Sequence, residues 1–409
     1  MTSKRRTMVP ALIVGLGGTG YRVLKYIKEN FLKSDEFNHQ IPGTVRLLSI
    51  DTDPNEEAAP EAVKLDAKEK LYVTVKTGEL LTNLQQYPEI KKWFPAHRVK
   101  FTVQSGARQI RALGRLALFK NIETIVAAIQ DAVQEITQKK LMNVPDDSGI
   151  ARTPDDVPIN VYVVSSMSGG TGSGMLVDMG FIIREVCARL GKKQPELQAC
   201  FFLPDAFIQV PRNQQDRLCA NGAAALKELD FFMENMEKFN VVYKEDNFFI
   251  SDGAGMMKPY DFAYLISAVD ISEQSTLEKI VCEGIFHGMA TELARDNKSY
   301  LANIPTQAFK PIVSGEFTGK FSNYSSLGVS SIVFPYEQVI EMCSNQFGME
   351  IIDEVLEMKK DKKDPKPWEK SLDDFLMEME LYDEDKHLKV LDRFCSVSQA
   401  RRMTFANYI

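Results

Sequence analysis

The sequence predicts an α/β fold built on a parallel sheet, and three observations predict it. A buried apolar strand at 9–14 runs through a glycine-rich loop into an amphipathic helix. A second buried strand, Val45–Ile50, follows that helix and ends in Asp51-Thr52-Asp53. A further strand, 159–165, again runs through a glycine-rich loop into a helix. Strands that alternate with helices must be joined by crossovers, and crossovers make neighbouring strands parallel.

The elements follow in order. The first helix spans Tyr21 to about Leu32, with Val23, Leu24, Tyr26, Ile27 and Phe31 at helical spacing. His39-Gln40-Ile41-Pro42-Gly43 reads as a loop. Residues 54–100 are polar and mixed and give no firm reading, whereas Arg111–Gln138 reads as two helices lying on the sheet. Asp146–Pro158 is a loop rich in Pro and Asp. The second glycine loop opens a long helix, Met175–Leu190, stopped by Gly191; Leu197–Leu203 is the next strand. Gln214–Phe239 is a long helix with Leu218, Leu226, Leu229, Met233 and Met236 on one face.

Beyond it the pattern changes. Val241–Tyr243 and Phe248–Ile250 suggest a hairpin, Phe262–Ile266 a strand, Ser275–Ala294 a helix, Ser330–Phe334 a strand and Tyr336–Leu356 a helix. This predicts a first α/β domain over 1–213, a central helix over 214–239 and a smaller α/β domain over 240–358. Residues 359–409 form a charged linker and a weakly helical segment that stops abruptly, as a fragment of a longer protein would. Met256-Met257 and the Phe/Met-rich stretch 231–239 read as core.

Composition narrows the classes. The chain has 409 residues, 44% hydrophobic and 26% charged, the balance of a globular protein. A net charge of −7 argues against a general nucleic-acid binder. No stretch approaches a membrane span, and the basic start Met1–Thr7 leads into a strand rather than a signal peptide. The six cysteines form no C-x-x-C pair, none has a His at ligand spacing, and they read as free thiols in a reducing cytoplasm.

The glycine loops carry the chemistry. Gly15-Leu16-Gly17-Gly18-Thr19-Gly20 sits where glycines bring backbone close to a phosphate and a helix N-terminus offers N–H groups and a positive dipole end. Alone, this loop fits a dinucleotide enzyme as well, with Asp51 as the acid after the second strand. Ser168-Gly169-Gly170-Thr171-Gly172-Ser173-Gly174 changes the balance. A dinucleotide fold needs one such loop; two converge on one phosphate chain if both strands are central in one sheet. No Walker A spacing occurs: Gly319-Lys320 is followed by Phe321, which has no hydroxyl.

The second loop resembles the tubulin signature G-G-G-T-G-S-G, with Ser168 in place of the first glycine. The first loop resembles the opening phosphate loop of FtsZ, with Thr19 replacing a glycine, and Ile50-Asp51-Thr52-Asp53 resembles an FtsZ strand end that runs I-N-T-D. On these motifs, residues 8–240 are identified as a member of the tubulin and FtsZ superfamily, nearest its bacterial tubulin-like group. The resemblance implies a Rossmann-like GTPase domain that binds GTP or GDP with Mg²⁺ at the phosphates. It assigns Gly17, Gly18, Thr19, Gly20 and Tyr21, then Asp51 and Asp53, then Gly169, Gly170, Thr171, Gly172 and Ser173 to the nucleotide.

It further implies that Ser105-Gly106-Ala107-Arg108 senses the terminal phosphate, although Arg108, Arg111 and Arg115 also fit a solvated helix face. Asp205, in Pro204-Asp205-Ala206-Phe207, falls at the ribose-side loop or in an ordinary loop. Asn221 matches the asparagine that reads guanine, and Arg217 stands where the family stacks an aromatic ring; a tolerated surface amide is the plainer reading of Asn221.

Hydrolysis in this family occurs across a subunit interface, so the resemblance implies a head-to-tail homopolymer. Val269-Asp270-Ile271-Ser272-Glu273 resembles the catalytic loop of α-tubulin, which makes Asp270 and Glu273 candidate catalytic acids; equally, they cap the following helix. An acid in Lys244-Glu245-Asp246 is an alternative. Two rival functions remain open: a non-polymerising switch that recruits an adaptor through its C-terminal part, and a dinucleotide enzyme. Division, DNA positioning and defence against phage are equally open as cellular roles.

Overall fold

The computed structural model describes residues 10–54, 63–74, 77–97, 106–138, 159–207, 209–235, 239–244, 248–250, 258–268, 274–290, 324–327 and 336–358. The chain divides into a unit of residues 1–329 and a second of 330–409.

The first unit is organised by a seven-stranded sheet. In chain order its strands are β1 (Ala11–Leu16), β2 (Val45–Asp51), β3 (Lys70–Tyr72), β4 (Asn160–Ser166), β5 (Glu196–Phe202), β8 (Phe262–Ile266) and β9 (Tyr324–Ser325). In space the order is β3-β2-β1-β4-β5-β8-β9, and every pairing is parallel. β1 and β4 lie side by side, with Ala11 opposite Asn160 and Leu16 opposite Ser165. From β1 the chain proceeds outward to β3; from β4 it proceeds the other way. The order therefore reverses between β1 and β4, and the crevice beyond the carboxyl ends of such strands is where open α/β sheets bind ligands.

Both faces of the sheet are covered, which is why its central strands are mostly apolar on both sides. Leu12, Val14 and Leu16 of β1, Val161 and Val163 of β4, and Leu197, Ala199 and Phe201 of β5 enter one core. Ala11 and Ile13, Tyr162 and Val164, and Cys200 and Phe202 enter the other. The first core is closed by α4 (Arg111–Lys120), α5 (Ile122–Ile136), α6 (Thr171–Arg189) and α7 (Arg212–Asn235). The second is closed by α1 (Gly17–Lys33) and α8 (Gln274–Ala290). Short helices α2 (Thr77–Thr82) and α3 (Pro88–Lys91) fill the segment that composition left unread. A bulged hairpin, β6 (Val241–Lys244) and β7 (Phe248–Ile250), buries Tyr243 and Phe248 in the first core. Met233 and Phe239 are core and Phe232 packs against it, as expected, but Phe231 is 49% exposed because it lies on the solvent side of α7; 236–238 and 256–257 lie outside the described residues.

Two differences from the sequence reading have physical causes. Helices α1 and α6 begin at Gly17 and Thr171 rather than at Tyr21 and Met175. Glycine propensity argues against helix there, but the first turn has no intrahelical N–H partners to lose, and packing on the strands sets the conformation. The sheet also continues past α7: β8 pairs with β5, so α7 is a crossover inside one sheet, at the place where a second domain was expected to start. Short, weakly patterned strands such as β8 and β9 do not announce which sheet they join. In the second unit the described element is α9 (Tyr336–Met358), and the strand expected at 330–334 lies outside the described residues.

Candidate functional site

The two glycine loops meet at the switch point. Gly17 has φ +70°, a left-handed conformation that glycine adopts without a Cβ penalty, and a Cβ there would lie 3.4 Å from Thr171 Cβ. Gly20 lets α1 press on the sheet: a Cβ would come within 2.6 Å of Gly15 Cα and 2.7 Å of Val164 O. The first turns of α1 and α6 thus lie side by side. Neither helix has a side-chain cap at its N-terminus or an acid in its first turn. Two uncapped positive dipole ends at one place form an environment that favours an anion.

The rim is built from three further segments. At the end of β2, Thr52 Oγ1 lies 2.6 Å from Thr171 Oγ1, and Thr171 donates to Asp51 Oδ1 at 3.2 Å. Asp51 Oδ1 also accepts from the backbone N–H of Thr52 and of Asp53. Burial raises the Asp51 carboxyl above the usual aspartate range, and these donors only partly offset that. Next comes the turn 106–110. Gly106 N donates to Thr52 O at 2.9 Å, and Ala107 and Ile110 lie against Gly170. Last, Asn221 of α7 donates to Gln109 O and to Ser168 O, each at 2.9 Å.

The residues singled out in the sequence separate into four groups. Gly17, Gly18, Thr19, Gly20, Asp51, Gly106, Ala107, Gly170, Thr171, Gly172, Ser173 and Asn221 belong to these converging segments, with Asp53 and Tyr21 beside them. Asp205 lies one strand along: its Oδ2 accepts from Ser267 Oγ and from Ala268 N, tying the exit of β5 to that of β8, while its buried Oδ1 has no partner among the described residues. Arg217 and Arg108 are exposed. Ser105, Asp270 and Glu273 lie outside the described residues. The three arginines do not form one solvated face. Arg111 reaches Ser173 O at 3.2 Å and Glu228 at 3.0 Å, and Arg115 pairs with buried Asp178 at 3.0 Å.

Several participants carry little or no local signal in the sequence. Thr52 stands out in the sequence only as part of a motif, yet it joins the β2 exit to the second loop. Glu278, 1% exposed on α8, accepts from Arg22 Nε at 2.8 Å, and Arg22 Nη2 reaches Thr19 Oγ1 at 3.4 Å. An acid among the apolar residues Leu277, Val281 and Cys282 is a signal that a buried partner exists, but the partner is 256 residues away in sequence. Ser168 Oγ, buried at the mouth of the second loop, has no hydrogen-bond partner among the described residues.

The tubulin-like family matches residues 12–353, a span that contains both glycine loops and the described sheet except Ala11. The chain belongs to the tubulin-like family. Among solved structures, this tubulin-like chain is similar to CetZ from Methanosaeta thermophila strain DSM 6194, with 15% identity over 75% of this chain and 57% of that one and a TM-score of 0.38. For CetZ2 from Haloferax volcanii, a GTPγS-bound protofilament, the values are 10%, 71%, 63% and 0.38. For TubZ of Bacillus thuringiensis serovar israelensis, in GDP-form protofilaments, they are 11%, 70%, 57% and 0.35. The tubulin-like chain is matched to less than two thirds of each of these structures. A search of curated proteins returns no match. No helix among the described residues is long and apolar enough to cross a membrane.

Proposed function

We propose that this chain is a GTP-binding protein that assembles head-to-tail in the cytoplasm and hydrolyses GTP where subunits meet. The observation that carries the reading is the meeting of two uncapped, glycine-built helix N-termini at the carboxyl ends of adjacent central strands. A single phosphate loop serves a dinucleotide; two such loops in contact suit a polyphosphate held along its length. Membership in the tubulin-like family supports the same reading.

The residues present fit a nucleoside triphosphate. A Cβ at Gly169 would meet nothing within 4 Å, so the backbone there faces open space, and Ser168 Oγ is a buried hydroxyl in need of a partner. Bound, the nucleotide supplies a phosphoanhydride whose terminal phosphoryl group water can attack. The first-turn N–H groups of α1 and α6 bind and orient the phosphates, and Thr171 holds the two loops and Asp51 in register. Among the described residues no three His, Cys, Asp or Glu side chains are grouped to hold a metal. Mg²⁺ would therefore be held by phosphate oxygens and water, with Asp51 and Asp53 as the nearby carboxylates, the usual mode for an ion that keeps its water shell. Asp270 and Glu273 are the proposed acids donated across the interface. A head-to-tail contact does not close on itself, so filaments follow.

The test is phosphate release measured against protein concentration with GTP and with ATP. A rate per subunit that climbs steeply above a threshold with GTP alone, and that Asp270→Ala abolishes without loss of binding, is the expected result. A rate per subunit that is flat with concentration would end the polymerisation reading.

A further inference from the structure

Asn221 lies in the first half of α7, and its amide is committed. Its Nδ2 donates to Gln109 O and Ser168 O, each at 2.9 Å. Both partners are backbone carbonyls, so the nitrogen has to face them, and its two protons are used; only Oδ1 remains. One carbonyl belongs to the turn 106–110 and the other opens the second glycine loop. Asn221 therefore joins the two segments that border the N-terminus of α6.

The turn needs such a hold. Arg108 and Gln109 have φ +46° and +58°. Two successive non-glycine residues in the left-handed region persist only where their surroundings keep them there. The restraints are Gly106 N to Thr52 O at 2.9 Å, Ile110 N to Ala107 O at 2.8 Å, the Asn221 bond to Gln109 O, and Gln109 Nε2 to Gln214 Oε1 at 3.2 Å. Two of the four come from α7. That helix is in reach because Gly222, next to Asn221, allows it to press on Pro204, whose Cδ would lie 3.0 Å from a Cβ there.

We propose that Asn221 is a positioning residue: it latches the turn 106–110 against the second glycine loop in the conformation that receives the terminal phosphate of a nucleoside triphosphate, and it does not read the base. The proposal rests on the nucleotide reading given above. It assigns α7 the task of reporting whether a third phosphate is present, since a ligand that braces the turn also braces the helix that holds it.

The experiment is equilibrium binding of GTPγS, GDP, ATPγS and ADP to the full chain and to its Asn221→Ala, Asn221→Asp and Gln214→Ala variants, with thermal melts as the control for folding. Loss of two neutral hydrogen bonds predicts a drop of about ten-fold in GTPγS affinity for Asn221→Ala, with GDP affinity and the guanine-to-adenine preference held within about two-fold. Asn221→Asp, which turns two donors toward carbonyls into acceptors, is expected to lose more. Gln214→Ala, at an exposed position, is expected to lose about two-fold in the same direction, and it carries the test if the Asn221 variants do not fold. A changed guanine-to-adenine ratio with unchanged dependence on the third phosphate would overturn the latch, and so would equal losses for GTPγS and GDP. Wild-type chain that binds none of the four ligands would remove the nucleotide reading itself, and the latch with it.

Discussion

Asp51 occupies the position where the resembling FtsZ motif has asparagine, and its surroundings explain why either residue fits: one side-chain oxygen accepts from Thr171 and from two backbone N–H groups. What differs is charge. Burial raises the folded carboxyl above its unfolded value of about 4, so the native state favours the protonated form. That contribution is fully present below the unfolded pKa and is lost as pH rises through the raised folded pKa. Wild-type chain is therefore expected to melt progressively below Asp51→Asn as pH rises from about 4.5 toward neutrality, with the gap smallest at the acid end. Melting curves of both proteins across that range check it; a gap that is constant with pH would refute the assignment. At Gly20 the constraint is steric. Gly20→Ala places a methyl against backbone on both sides, at Gly15 and Val164, and is expected to cost about 3 kcal/mol or more in denaturant unfolding.

Among the elements, α4 and α6 are joined by one buried cluster. Arg115 Nε and Nη2 both donate to Asp178, at 3.0 and 3.1 Å, Tyr243 of the hairpin donates to the same carboxylate at 2.8 Å, and the guanidinium lies 4.8 Å from the Trp93 ring centroid. Burial first, and then the Asp178 charge, pushes the Tyr243 hydroxyl well above its ordinary value, so it stays a donor at every physiological pH. Removing the carboxylate strands a guanidinium that is already mostly desolvated: Asp178→Ala is expected to cost about 3 kcal/mol, against about 1 kcal/mol for Tyr243→Phe. Chemical denaturation of the two variants gives the comparison, and equal losses would mean that the pair is not the main element of the cluster. The cysteines of these elements are mixed in exposure: Cys187 and Cys200 are buried with thiols pushed up to about 12 by desolvation, whereas Cys219 is exposed on α7.

At the scale of the molecule, the sheet decides what folds together. Arg184 of α6 bonds Lys258 O at 2.8 Å and Asp261 at 3.0 Å, and Asp261 accepts from Leu197 N at 2.7 Å, so the segment leading into β8 is fastened to α6 and β5. A chain cut after Phe239, at the boundary the sequence suggests, would leave β5 as a bare apolar edge and Arg184 without these acceptors. It is expected to aggregate or to melt without cooperativity, whereas residues 1–329 should melt cooperatively. Calorimetry of the two fragments decides, and a cooperative transition in the shorter one would show that β8 is dispensable.

The sequence by itself determined the strand–glycine–helix units, the parallel sheet and the family, because glycine loops and uninterrupted apolar strands are local patterns with few alternative meanings. The segments that converge at the candidate site are likewise legible as motifs: Gly17 to Gly20, Asp51 and Gly169 to Ser173 each lie in a contiguous run. Only the tertiary structure decided that β8 extends the first sheet, that Thr52 meets Thr171, that Arg22 finds Glu278, and that the Asn221 amide faces two carbonyls. Each of these is a pairing between residues far apart in the chain, and a hydrogen bond's partner is set by where the backbone has been carried, which no local pattern encodes.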